Sequence, residues 1–131
     1  MPKLSKPLKV AIVGYGPYFN MGKHHAQMVN SVEGLEVAAV CDISEERLRA
    51  AREDLGDIRT YTSVSNLAAD KDIGLCVVVT PHSAHIDCVL PCLEAGKHVV
   101  VEKPMAITID ECTRMIDAAR KNGLALSVFH N

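Results

Sequence analysis

Short runs of apolar residues alternate with segments of helical period from one end of the chain to the other. The runs are Val10 to Val13, Val37 to Val40, Leu75 to Val79, Val99 to Val101 and Leu124 to Phe129. They are continuous in apolar character, which predicts strands covered on both faces. A weaker run, Arg59 to Thr62, predicts an edge strand.

The segments between the runs carry helix punctuation. Ser44 can cap a helix whose first turn holds Glu45 and Glu46, with Leu48, Ala51 and Leu55 on one face and Gly56 as the stop. From about Ser83, Ile86, Val89, Leu90 and Leu93 form a stripe that ends at Gly96, with Pro91 inside it as an expected kink. Thr108 and Glu111 have capping-box spacing ahead of Cys112, Met115, Ile116 and Ala119, and Asn122-Gly123 closes that helix. A shorter stripe of Met28, Val29 and Val32 follows a helix start at Gly22.

Six strands in alternation with helices predict an α/β fold of three layers: a doubly wound parallel sheet of order 3-2-1-4-5-6 with right-handed crossovers. All 131 residues fit one such domain. Apolar residues make up 48% and aromatic ones only 4%, without Trp, so the core must be built from Val, Ile, Leu, Ala and Met. A net charge of -2 without a basic run argues against a nucleic-acid partner. No apolar stretch approaches a membrane span and no secretory segment precedes the first glycine turn, so the expected compartment is the cytosol. Five cysteines, none in C-x-x-C spacing, are expected as buried free thiols.

Chemistry concentrates after the strands. Gly14-Tyr15-Gly16 follows the first strand, and Gly22 opens the first helix after an insertion that lengthens the usual G-x-G-x-x-G. Gly14 permits a tight turn, and Gly16 permits close approach of a pyrophosphate to backbone N–H groups at a helix start. The alternative is a glycine turn closing an ordinary βα unit. The second strand ends in Asp42, about 20 residues beyond Gly22, where an acid accepts from ribose hydroxyls and repels a 2′-phosphate. With no Arg at positions 43 to 46, NAD is favoured over NADP. Asp42 has an alternative role as a helix N-terminal acid ahead of Ser44. His82 and His85 have H-x-x-H spacing, but no companion acid or Cys completes a metal pattern and no metal is expected.

The fourth strand ends in Thr80-Pro81-His82-Ser83-Ala84-His85, and the fifth runs from Ala95-Gly96-Lys97-His98 to Glu102-Lys103-Pro104. With Gly14-x-Gly16, Gly22-Lys23-His24-His25 and Asp42 ahead of them, these motifs in this order resemble the N-terminal domain of the Gfo/Idh/MocA oxidoreductases. The resemblance covers essentially the whole chain and implies a Rossmann-type nicotinamide cofactor domain. Gly14, Tyr15, Gly16, Gly22 and Asp42 then hold the adenosine and pyrophosphate half. Thr80, Pro81 and His85 line the groove, and Glu102 and Asn131 lie near the nicotinamide. Lys103 faces the reacting hydroxyl of a sugar or polyol, and Pro104 follows a cis peptide bond.

Oxidising a secondary alcohol needs a group that takes the hydroxyl proton, a task suited to a Lys whose pKa is lowered by burial. Without the flanking motif, Lys103 would read as a solvated lysine at a strand end. The resemblance also implies a C-terminal domain, absent from this chain, for substrate contacts and homo-oligomer formation. The fragment alone is then expected to bind cofactor without turnover. Two other readings stay open: a free-standing nucleotide-sensing module without catalysis, and a doubly wound CoA or flavin binder.

Overall fold

A computed structural model of the chain describes residues 5–16 and 20–130. Its sheet has the expected order β3-β2-β1-β4-β5-β6. The strands are β1 (Leu8–Val13), β2 (Leu35–Cys41), β3 (Arg59–Tyr61), β4 (Leu75–Val78), β5 (His98–Glu102) and β6 (Leu126–Phe129). Every neighbouring pair is parallel, with Ala11 opposite Ala39 on one side and Cys76 on the other. The helices are α1 (Met21–Asn30), α2 (Glu45–Leu55), α3 (Val64–Ala68), α4 (His85–Glu94) and α5 (Ile109–Lys121).

The continuous apolar runs divide by alternation between two layers. Ala11, Val13, Ala39, Cys76, Val78, Val99 and Val101 share a core with Val89 and Leu93 of α4 and with Met115 and Ala119 of α5. Val10, Ile12, Val37, Val40 and Val77 share the other with Ala26 and Val29 of α1 and with Leu48 and Ala51 of α2. The apolar residues of the central strands therefore leave water on either face of the sheet, at ~1.5–3 kcal/mol of stabilisation for a fully buried Val or Leu.

The cap signals hold. Ser44 Oγ accepts from Arg47 N at 3.4 Å, and Thr108 and Glu111 form a reciprocal capping box. Two details differ from expectation. The short α3, capped by Ser63, inserts its fully buried Leu67 into the core, but five residues are too few to show a helical period. α4 begins after a 3-10 turn at His82–Ala84 and continues through Pro91 to Glu94. The missing N–H of Pro91 leaves the carbonyl of Asp87, an exposed residue, to water.

The amino ends of the strands are tied by charge. Lys97 is buried, and its Nζ donates to the carbonyls of Asp70 at 2.6 Å and Ile73 at 2.8 Å. Its place in the A-G-K-H motif is thus architectural: it holds the loop before β4, at the end of the sheet away from Asp42 and Lys103. Among the described residues, no helix is long and apolar enough to cross a membrane. All five cysteines are free, four of them buried, and Cys112 is partly exposed.

Candidate functional site

The glycine turn follows β1 at the centre of the sheet. Gly14 has φ +97°, and a Cβ there would lie 3.0 Å from the Val79 carbonyl, so only glycine passes between the exits of β1 and β4. Gly22 is pressed against the same turn. A Cβ on it would lie 2.6 Å from Gly14 O and 2.8 Å from Tyr15 Cα. At Gly16 the situation is different, since among the described residues an added Cβ would meet only the Arg47 guanidinium, at 3.2 Å. Among the described residues the backbone there is approached by one flexible side chain alone, the geometry that close approach of a phosphate requires. Positions 17–19, which hold most of the lengthened loop, lie outside the described residues.

Asp42 follows β2 and is buried. Its Oδ2 accepts from Tyr15 N at 2.8 Å and its Oδ1 from Ser44 N at 2.9 Å. The carboxylate thus orders both its own loop and the glycine turn, and each oxygen keeps a lone pair for a further donor. Arg47, from the first turn of α2, brings Nη1 to 3.8 Å from Asp42 Oδ1. Tyr15 belongs to the turn through its backbone. Its ring is buried beside Gly22, and its hydroxyl donates to Asp54 at 2.8 Å. Burial, and then Asp54, push that phenol well above its ordinary range.

The exits of β4 and β5 form the second half. His85 is fully buried, with Nε2 3.0 Å from Thr80 O and Nδ1 3.0 Å from Pro104 O. It clamps the Thr80-Pro81 segment to the Lys103-Pro104 segment through their carbonyls. Both ring nitrogens of His85 are engaged by backbone, and its ring meets that of His82 edge-on at a centroid distance of 5.7 Å. Among the described residues no group of three or more His, Cys, Asp or Glu is placed to hold a metal ion.

Glu102 Oε1 lies 2.7 Å from Nε2 of His25, and its Oε2 accepts from Lys103 N at 3.1 Å. The His25 ring meets Phe129 edge-on at a centroid distance of 4.7 Å. Lys103 is exposed, and the Lys103–Pro104 peptide is cis, as the resemblance implied. Asn131 lies outside the described residues.

Two links escaped sequence reasoning. α1 joins the halves, with Gly22 against the glycine turn and His25 on Glu102; its signal was the His24-His25 pair one turn after Gly22. Arg47 is the other, a cation in the first turn of α2, five residues after Asp42.

The Gfo/Idh/MocA family model, described as an oxidoreductase family with an NAD-binding Rossmann fold, matches residues 8–130. Inositol 2-dehydrogenase of Salmonella typhimurium is 38% identical over 118 residues, 88% of this chain and 34% of that enzyme. The NADP(+) scyllo-inositol 2-dehydrogenase of Bacillus subtilis is 32% identical over 124 residues, 95% of this chain and 33% of that one. The solved structure of scyllo-inositol dehydrogenase from Lactobacillus casei, with bound NAD(H) and scyllo-inositol, is similar at a TM-score of 0.84 and 25% identity. That match covers 94% of this chain and 36% of the other. The chain therefore spans about a third of the length of the relatives it matches.

Proposed function

We propose a function from the premise that this chain belongs to the Gfo/Idh/MocA oxidoreductase family, of which residues 8–130 form the NAD-binding Rossmann fold. It serves a dehydrogenase that moves hydride between a nicotinamide dinucleotide and a hydroxyl-bearing carbon of a sugar or polyol. The observation that carries this reading is the turn at Gly16, whose backbone meets one flexible side chain among the described residues and is flanked by a buried Asp42 bonded to the same turn.

In this reading Gly14, Gly16 and Gly22 admit the pyrophosphate, with the backbone of Tyr15 held ready by Asp42. The free lone pairs of Asp42 accept from the ribose hydroxyls, which supports NAD. Thr80 and Pro81 border the groove, and His85 keeps their backbone beside that of Lys103. Glu102 fixes Lys103 N, and the Lys103 amine holds or takes the proton of the substrate hydroxyl. Asn131 belongs to the nicotinamide end. The bound cofactor supplies the hydride acceptor.

Because Lys103 is exposed here and an open half-site neither orients substrate nor excludes water, these 131 residues bind cofactor without turnover. Substrate selection and homo-oligomer formation belong to the full-length enzyme. Titration of the chain with NADH, followed by calorimetry or nicotinamide fluorescence, tests the proposal. Saturable one-site binding is the expected result. Absence of binding at millimolar NAD(H) and NADP(H) would overturn it.

A further inference from the structure

We infer that α5 is a self-docking surface: two copies of this chain associate about a two-fold axis with their α5 helices antiparallel, each Ile109 seated in the apolar pocket at the far end of the other helix. The contact belongs to the Rossmann domain itself and does not depend on the dinucleotide reading.

α5 is apolar where it faces water. Among the described residues the exposed large hydrophobic side chains are Val32, Ile43, Ile107, Ile109 and Ile116, and three of these five lie on α5 or just before it. Ile109 opens the helix and is 87% exposed. Thr113, Ile116 and Arg120 follow it at spacings of four, three and four, so the four side chains form one exposed row beside the buried Met115 and Ala119.

The far end of that row holds a matching hollow. Ile116, Ala119 and Arg120 of α5, Leu124 ahead of β6 and Leu126 within it line a pocket of about 190 Å³. Its lining is aliphatic apart from the head of Arg120, and it has room for the four carbons of an isoleucine side chain. Eleven residues, about 16 Å along the axis, separate Ile109 from Arg120, so Ile109 cannot enter the pocket of its own helix. A two-fold axis crossing α5 midway, between Arg114 and Met115, sets each Ile109 on the other copy's pocket and Thr113 against the other copy's Ile116.

Charge selects the same arrangement. Asp110, Arg114, Asp117 and Lys121 form the adjacent row, again at spacings of four, three and four, and all four are exposed. The row alternates acid and base, with an acid at its amino end and a base at its carboxyl end. Laid antiparallel against its own copy, every position meets its opposite: Asp110 with Lys121, and Arg114 with Asp117. A parallel arrangement would set like charges together. Antiparallel helices also oppose their dipoles favourably. One helix row and two pockets make a small interface, which belongs with weak, reversible contacts.

The test is sedimentation velocity of the 131-residue chain at concentrations from about 10 µM to about 1 mM, the range in which a small interface associates. Wild type is expected to pass reversibly from monomer to dimer and no further, because an isologous contact closes on itself. Ile109→Glu should weaken dimerisation about tenfold or more, while an acid in the first turn keeps the helix stable. Lys121→Glu should weaken it about threefold by setting two acids together, and Asp110→Lys combined with Lys121→Glu should restore it. A monomer at every concentration would overturn the inference and leave the pocket to a different occupant. Association beyond the dimer, dimerisation unchanged by Ile109→Glu, or a double variant as weak as Lys121→Glu alone would overturn it as well.

Discussion

His25 Nε2 and Glu102 Oε1 lie 2.7 Å apart, a contact that joins the first helix to the end of the fifth strand across 77 positions of sequence. Both side chains are largely shielded, at 4% and 14% exposure, so neither finds a full water shell in place of its partner. Replacing His25 by Ala removes the partner of Glu102 and the edge contact with Phe129. The expected loss of stability is about 1–3 kcal/mol, read from the urea midpoint. His25→Gln, which can still donate an N–H to Glu102, should recover part of it. Equal midpoints for the two variants would show that the pair contributes little.

Gly22 and Gly16 separate folding from binding. An Ala at Gly22 would gain helix propensity, yet its Cβ would sit 2.6 Å from Gly14 O, a backbone atom that cannot step aside alone. Gly22→Ala is expected to destabilise the chain by about 1–3 kcal/mol, as overpacking does. At Gly16 the added Cβ meets, among the described residues, only the Arg47 side chain, which can move. Gly16→Ala should leave the urea midpoint within about 0.5 kcal/mol of wild type while weakening NADH binding. If Gly16→Ala bound NADH as tightly as wild type, the approach of cofactor to that backbone would be wrong.

The legibility of these features in sequence follows how local their causes are. The sheet order was readable because runs such as Val10 to Val13 are apolar on both faces, and the Thr108 to Glu111 spacing of a capping box fits within one helical turn. Gly14 and Asp42 were readable because each sits directly after a strand, where the chain must turn and ligands approach. The bonds of Asp42 to Tyr15 and Ser44 were not, since they depend on which way a carboxylate turns within a crowded loop. The same holds for Arg47, whose long side chain could point to solvent from the same backbone position. His85 was placed in the right segment, but its complete burial between two strand exits is a tertiary fact with no periodic signature.

At the far end of the sheet, Asp72 is held by Lys9 at 2.8 Å and by Arg59 at 2.6 Å. The hydrogen bond from Lys9, and then that from Arg59, lower its pKa from the ordinary 3.8 to about 2. A carboxylate with a lower pKa in the folded than in the unfolded chain stabilises fully above the unfolded value. That stabilisation is lost as pH falls through the folded one. The wild-type urea midpoint should therefore decline between about pH 4 and pH 2 more steeply than that of Asp72→Asn, which cannot ionise. Parallel profiles for the two proteins would remove Asp72 as a source of acid sensitivity.

Asp42 offers the sharpest separation of the two dinucleotides. Its carboxylate is the acceptor for ribose hydroxyls in the proposed site, whereas a 2′-phosphate replaces one of those hydroxyls and gains nothing from a negative charge. Asp42→Ala should therefore weaken NAD⁺ binding about tenfold while affecting NADP⁺ less. Truncation also orphans Tyr15 N and Ser44 N, so a loss of turn geometry could weaken both ligands together. Asp42→Asn controls for this, because the amide oxygen keeps one backbone acceptor while the negative charge is gone. For Asp42→Asn the NADP⁺ to NAD⁺ affinity ratio should rise above that of wild type, measured by calorimetry on the same preparation. An unchanged ratio in both variants would mean that the carboxylate serves only the turn and that cofactor choice is made elsewhere.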